Sequence, residues 1–314
     1  MFDPEKFIEE KIEEIKQVDG KAVVGCSGGV DSTVAAVLVG KAIGDDLLAI
    51  YVDTGYMRKN ETENMDEILE HMGINHRIVH AHDEFYDAME GVTDPEKKRK
   101  TIGNKFIEIF EREAEDFSAD YLVQGTIAPD WIESGDEVRD TIKSHHNVGG
   151  LPEEMGLDLI EPLYDLYKDE VRKVARELGL PTAEKQPFPG PGLAIRVMGE
   201  ATPERTEIAR EACHIVETEI TKAVENDEME RPWQYFAVLL PVKTVGVQGD
   251  KRAYGHTIGV RAVQSLDAMT ANFSNIPMNV LERISTKITN KMKDKVNRVV
   301  YDVTNKPPGT IEWE

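Results

Sequence analysis

Apolar and polar positions follow one rhythm in the first half of the chain and another in the second. KAVVGC (21–26) and LLAIYVDT (47–54) are short, nearly continuous apolar runs, the pattern of strands buried on both faces. HRIVHA (76–81) and YLVQGT (121–126) predict two more strands. Between them the spacing turns helical over residues 30–43, over 60–72 with Ile68, Leu69 and Met72 on one side, and over 103–115. KDEVRKVARELG (168–179) predicts a helix ended by Gly179, with Pro181 just beyond. Strands and helices alternating in this way predict an α/β fold with a doubly wound parallel sheet.

QPFPGPG (186–192) carries three prolines and two glycines in seven residues, a rigid and irregular connector. Beyond it the pattern predicts a long helix over 202–223, long strands over 236–247 and 256–263, a helix over 278–293 and a strand over 297–303. That order suggests a smaller α+β domain. The expected division is therefore 1–185 and 186–314, with no internal repeat.

Composition narrows the partners. Of 314 residues, 40% are apolar and 31% charged, enough to bury a core, and the formal net charge is −22. A field of that sign repels phosphate backbones, so no nucleic-acid surface is expected. The acid excess reads as a solvated surface, and a small anion can still be held where backbone N–H groups converge. The N-terminal MFDPEKFIEEKIEEIKQVDG reads as a charged amphipathic helix rather than a signal peptide. No apolar run approaches the ~18 residues of a membrane span. The two cysteines, Cys26 and Cys213, make no CxxC pair. The expectation is a cytoplasmic protein in a reducing compartment, with no membrane.

The candidate chemistry sits in VVGCSGGVDSTVAAVL (23–38), where a buried strand ends in small residues and a helix opens. Glycines let a ligand approach the backbone, the helix start offers unpaired N–H donors, and the serines add hydroxyls. By mechanism this is a phosphate cradle. It is not a Walker A loop, since no lysine follows Gly29 and Asp31 lies inside the bend. A carboxylate beside bound phosphates repels them unless a divalent cation intervenes, so Asp31 reads as a Mg²⁺ contact. The structural alternative is a tight turn with Asp31 capping the helix.

SGGVDS resembles the pyrophosphate loop of the N-type ATP pyrophosphatases, whose fold is adenine nucleotide alpha hydrolase-like. RKTIGNKFIEIF (99–110), QGTIAPDWIES (124–134), IKSHHNVGGLPE (142–153), PFPGPGLAIR (187–196), VGVQGDKRAYG (245–255) and NKPPGTIEWE (305–314) are all similar to stretches of the GMP synthetases within that family. The resemblance implies a ligase that aminates XMP to GMP. The xanthine O2 attacks the α-phosphorus of ATP, giving adenylyl-XMP and pyrophosphate. Ammonia then adds at C2 and AMP leaves.

The same resemblance distributes roles. Ser27, Gly28, Gly29, Val30, Asp31, Ser32 and Thr33 would hold the ATP phosphates, and Val52 and Asp53 would face adenine. Gly125 and Thr126 would end a strand on the same sheet edge. The basic run Lys97, Lys98, Arg99 and Lys100 would form a mobile lid, with Arg99 on XMP. Lys143, next to His145 and His146, would meet phosphates. Asp31, Ser32, Arg99 and Lys143 are the catalytic candidates. Gln234, Asp250, Lys306 and Glu312 would complete the XMP site from a C-terminal domain that also makes a homodimer. Prolines 307 and 308 and Trp313 imply an ordered tail. Little chain precedes the loop, and Cys26 reads as a packed residue rather than a nucleophile. The expected ammonia source is therefore either free ammonia or a separate glutaminase subunit, with the second favoured because the resemblance includes the split enzymes of archaea. The alternatives are another N-type ATP pyrophosphatase, such as an NAD synthetase, and a non-catalytic nucleotide-binding regulator.

Overall fold

A computed structural model describes residues 2–132, 156–248, 250–266 and 268–314. Contacts divide the chain into two compact units, Met1–Thr54 with Asn60–His82 and Gly103–Lys185, and Gly55–Lys59 with Asp83–Ile102 and Gln186–Glu314.

The first unit contains a parallel sheet of β1 (Ala22–Gly25), β2 (Leu47–Asp53), β3 (His76–His80), β4 (Tyr121–Val123) and β5 (Asp158–Ile160), in the order β3-β2-β1-β4-β5. Val24 of β1 pairs with Ala49 on one side and Val123 on the other. Every residue of β2 is buried, whereas β3 is half-exposed and β5 mostly exposed. Continuity of the apolar run thus sorts centre from edge. Among the described residues before 186, the α-helices are α1 (Pro4–Ile15), α2 (Val30–Ile43), α3 (Glu61–His71), α4 (His82–Ala88), α5 (Pro95–Phe117), α6 (Ala128–Ile132) and α7 (Lys168–Glu177). α1 starts where its sequence directs: Asp3 accepts from the Lys6 N–H and Pro4 takes the first position. α2 buries Val30 and then every residue from Thr33 to Val39, so its sequence shows no amphipathic stripe.

The expected helix over 103–115 is longer, and that changes the reading of the basic run. α5 opens at Pro95 because the Asp94 carboxylate accepts from the Lys97 N–H at 2.9 Å, and the Asp94 carbonyl from the Lys98 N–H at 3.0 Å. Lys97–Lys100 therefore lie in the first turns of a helix. Lys98 is fully buried, donating to the carbonyls of Ala194 and Val197 at 3.0 and 2.7 Å and pairing with Glu314.

In the second unit, β6 (Gln234–Gln248) and β7 (Lys251–Gln264) form a long antiparallel pair. β7 also pairs antiparallel with β8 (Asn272–Phe273) and parallel with β9 (Val296–Tyr301). α8 (Pro203–Glu225) and α9 (Met278–Lys291) complete it. α8 buries Ile208, Ala212, Val216 and Ile220, and β6 buries Phe236 and Val238. The proline-rich connector is held by hydrogen bonds from Arg58 to the Gln186 and Pro187 carbonyls, at 3.3 and 3.1 Å, and by a close approach at Gly192. Gly192 has φ +63, a Cβ there would lie 2.4 Å from the Tyr56 carbonyl oxygen, and that oxygen accepts from the Leu193 N–H at 2.7 Å.

Candidate functional site

Strand order in the parallel sheet reverses between β1 and β4, the place where such sheets open a crevice at their carboxyl ends. The loop after β1 and the residues after β4 meet there. A Cβ on Gly125 would lie 3.1 Å from both the Asp31 carbonyl carbon and the Ser32 nitrogen, so no larger residue fits without moving the first turn of α2. Gly28 has φ +77, and a Cβ on it would reach 2.6 Å from Glu61 Oε1. Both glycines are required by geometry.

Within the bend, Ser27 and Ser32 hydroxyls lie 3.2 Å apart and the Ser27 N–H donates to Ser32 Oγ at 3.3 Å. Thr33 Oγ1 donates to the Gly29 carbonyl at 2.7 Å. Gly29 caps α2 without any side-chain bond, and Asp31 does not act as the cap. The first-turn N–H groups therefore remain available to an anion.

Asp31 Oδ2 accepts from Lys168 Nζ at 2.5 Å, while Oδ1 is buried with no hydrogen-bond partner among the described residues. An unspent carboxylate oxygen is what a hard divalent ion takes, so the residues present fit Mg²⁺. Lys185 Nζ donates to the Gly28 carbonyl at 2.9 Å and pairs with Glu61. Neither lysine is marked out by its neighbours in the sequence. Lys168 lies 137 residues from Asp31 and Lys185 lies 157 from Gly28, and no local motif links them. The one available signal is the acidic bend itself, which requires counter-charge.

Val52 and Asp53 end β2 past its last pair with β1, Gly25–Ile50. The Ile50 carbonyl accepts from the Cys26 N–H at 2.8 Å. Strand alternation gives Val52 the same orientation, so its peptide groups face the space beyond the end of β1. The Asp53 side chain is buried and engaged instead with Thr62, whose Oγ1 donates to Oδ2 at 2.7 Å, and with His82. Thr126 Oγ1 is buried without a partner among the described residues. Lys143, His145 and His146 lie outside the described residues.

In the second unit, Arg196 is fully buried, 5.1 Å and 4.1 Å from the ring centres of Phe188 and Phe236. It bonds Glu312 through Nε at 3.1 Å and Nη2 at 2.7 Å, and Gln234 Nε2 donates to the same carboxylate at 3.0 Å. Burial, the largest influence, opposes the guanidinium charge, but Glu312 outweighs it and holds Arg196 above its ordinary value. Arg99 Nη2 donates to the Glu314 carbonyl oxygen at 2.5 Å. Burial pulls the Lys98 amine below its ordinary value, with Glu314 partly restoring it. Trp313 Nε1 donates to Asp302 at 3.1 Å, so the tail is tied down along its length.

Lys306 donates to the Ala268 carbonyl at 2.8 Å and bridges Ala271. It stands at the end of β7 where Val263 pairs with Gln234 and Gln264 with Asn272. Gln234, Glu312 and Lys306 thus share one end of the β6–β7 pair. Asp250 does not join them. It sits in the turn between those strands rather than in a strand, roughly 53 Å of extended chain from Gln234.

A parallel sheet with a glycine-serine bend opening a helix at its reversal point is an arrangement suited to holding the phosphates of a nucleotide. An NAD synthase family model matches residues 2–110, and a GMP synthase C-terminal domain model matches residues 219–313. The chain is 58% identical over 319 residues to a subunit of the glutamine-hydrolyzing GMP synthase of Methanopyrus kandleri, covering 100% of both chains. It is 59% identical over 315 residues to the corresponding subunit from Pyrococcus furiosus, covering 99% of this chain and 97% of the other. The Methanocaldococcus jannaschii counterpart is 56% identical over 319 residues, covering 100% of both. The chain belongs to the family of these GMP synthase subunits.

Proposed function

We propose that this chain is the synthetase half of a split GMP synthase, aminating XMP at the expense of ATP. The observation that carries the reading is the bend at 27–33, with uncapped N–H donors and an unspent oxygen on Asp31. The N–H groups at the start of α2 would hold the β- and γ-phosphates, the Ser27 and Ser32 hydroxyls would add donors, and Val52 would meet adenine through its backbone. Lys168 and Lys185 would offset charge as pyrophosphate departs. Mg²⁺, where Asp31 would hold it, would neutralise phosphate charge and leave the α-phosphorus open to attack. ATP is needed because a ring oxygen leaves poorly and its adenylate leaves well.

Gln234, Glu312 and Lys306 would read XMP, Lys306 through the phosphate. Arg99 would exchange its bond to Glu314 for the nucleotide. Ammonia would come from a separate glutaminase subunit in the same cytoplasmic compartment. Homodimers would form through residues 186–314, where the long hairpin leaves Val245, Val247 and Tyr254 exposed. No helix among the described residues is long and apolar enough to cross a membrane.

The test is product identity. Purified chain with Mg-ATP, XMP and ammonium should yield GMP, AMP and pyrophosphate, and glutamine should replace ammonium only when a glutaminase is added. Turnover on nicotinate adenine dinucleotide instead of XMP, or ATP binding without turnover, would overturn the reading.

A further inference from the structure

A second cluster lies at the ends of β2 and β3 and takes no part in the phosphate chemistry. Asp53 and His80 are register partners, and His82 opens α4 two residues on. The Asp53 carboxylate is buried, while both imidazoles are exposed. His82 Nε2 lies 2.7 Å from Asp53 Oδ1 and His80 Nδ1 lies 3.8 Å from Oδ2. One donor atom from each of the three residues falls within 4.8 Å of the others. Donors bound tetrahedrally to one ion at ~2.05 Å are ~3.3 Å apart. The two distances run to different oxygens of the one carboxylate, and rotations of the exposed rings would bring both nitrogens to that spacing around a shared ion.

The surroundings prepare the carboxylate. Thr62 donates to Asp53 Oδ2 at 2.7 Å, the kind of outer contact that orients a ligating carboxylate. The Ala81 N–H donates to the Asp53 carbonyl at 3.0 Å and fixes the chain between the two histidines. A simple Asp53–His82 pair would use only one histidine. His80 adds little to that pair, but it completes a three-ligand set. Two imidazoles and a carboxylate do not suit Mg²⁺, which takes oxygen donors, and do suit Zn²⁺ and its first-row neighbours.

We propose that Asp53, His80 and His82 bind a borderline divalent metal ion of the Zn²⁺ class, with at least one position left to water or another ligand. Nothing in this site depends on what the phosphate loop binds. Full-length chain stripped with EDTA and titrated with Co²⁺ should develop the visible bands of a low-coordinate nitrogen–oxygen site, displaced by Zn²⁺ and not by Mg²⁺. The double variant His80→Ala/His82→Ala should still unfold cooperatively in EDTA, its melting temperature lowered only by loss of the Asp53–His82 contact, and bind Co²⁺ at least about tenfold more weakly. Thr62→Val should weaken binding by about tenfold. Equal Co²⁺ binding by the parent and the double variant, displacement by Mg²⁺ as readily as by Zn²⁺, or no Co²⁺ bands at all would each overturn the assignment.

Discussion

The bend at 27–33 and the C-terminal tail are both dense in polar groups, yet they spend them in opposite ways. In the tail, Glu312 takes bonds from Arg196 and Gln234, and Glu314 takes Lys98 and Arg99. In the bend, the α2 start has no side-chain cap, and Asp31 Oδ1 and Thr126 Oγ1 are buried without partners among the described residues. Buried polar groups are normally satisfied, so donors and acceptors left over mark where a ligand is expected. The tail's carboxylates are engaged and form a clamp that sets shape, although Arg196 Nη1 beside them is itself buried without a partner among the described residues.

Breaking the clamp should produce the largest effect. Arg196→Ala takes from Glu312 its ionic partner, leaves it only the bond from Gln234, and should cost about 3–5 kcal/mol of stability, seen as a fall in denaturation midpoint. Replacing both partners, Arg196→Met with Glu312→Gln, should recover part of it; a single variant as stable as the parent would make the pair dispensable.

The bend should respond in turnover rather than stability. Asp31→Asn should lower kcat by about 10²–10³-fold, as for loss of one preorganised charge contact, with little change in melting temperature. Unchanged kcat would remove Asp31 from the chemistry. Lys306→Ala should raise KM for XMP by about tenfold, as loss of a charged contact would, and leave that for ATP nearly unchanged; an equal rise in both would contradict its assignment to the XMP phosphate. Lys168→Met should alter stability by less than about 1 kcal/mol, because its pair with Asp31 is partly exposed, while still slowing turnover. A variant that lost stability but kept its rate would place Lys168 with the clamp instead.

The smallest expected response is that of the thiols. Burial pushes the Cys26 thiol up to about 12 and also raises that of Cys213. A raised value keeps each protonated at neutral and mildly basic pH, so iodoacetamide at about pH 8 should label neither until the chain unfolds. Rapid native labelling of Cys26 would reopen it as a nucleophile.

Much of the phosphate side was legible because its signals are local. Continuous apolar runs located β1 and β2, and the bend between β1 and α2 carries its own glycines and serines. The N-terminal extent of α5 is also written locally, in the Asp94 cap and Pro95, beside the charged run Lys97–Lys100. What was not legible is long-range. Lys168 and Lys185 reach the bend through the fold alone. Residues 55–59 and 83–102 group with the C-terminal half through contacts such as Gly192 against Tyr56. Asp250 matched a motif, yet the length of β6 carries it away from Gln234. Linear similarity names residue types, whereas strand length decides which of them meet.

The central claim is that the bend grips the outer phosphates of ATP, and a crystal structure with Mg²⁺ and α,β-methylene-ATP tests it most directly. The β- and γ-phosphoryl oxygens should lie within ~3.2 Å of N–H groups from Gly29 to Ser32, with the metal on Asp31 Oδ1. A triphosphate tail seated anywhere else, with those N–H groups left to water, would contradict it.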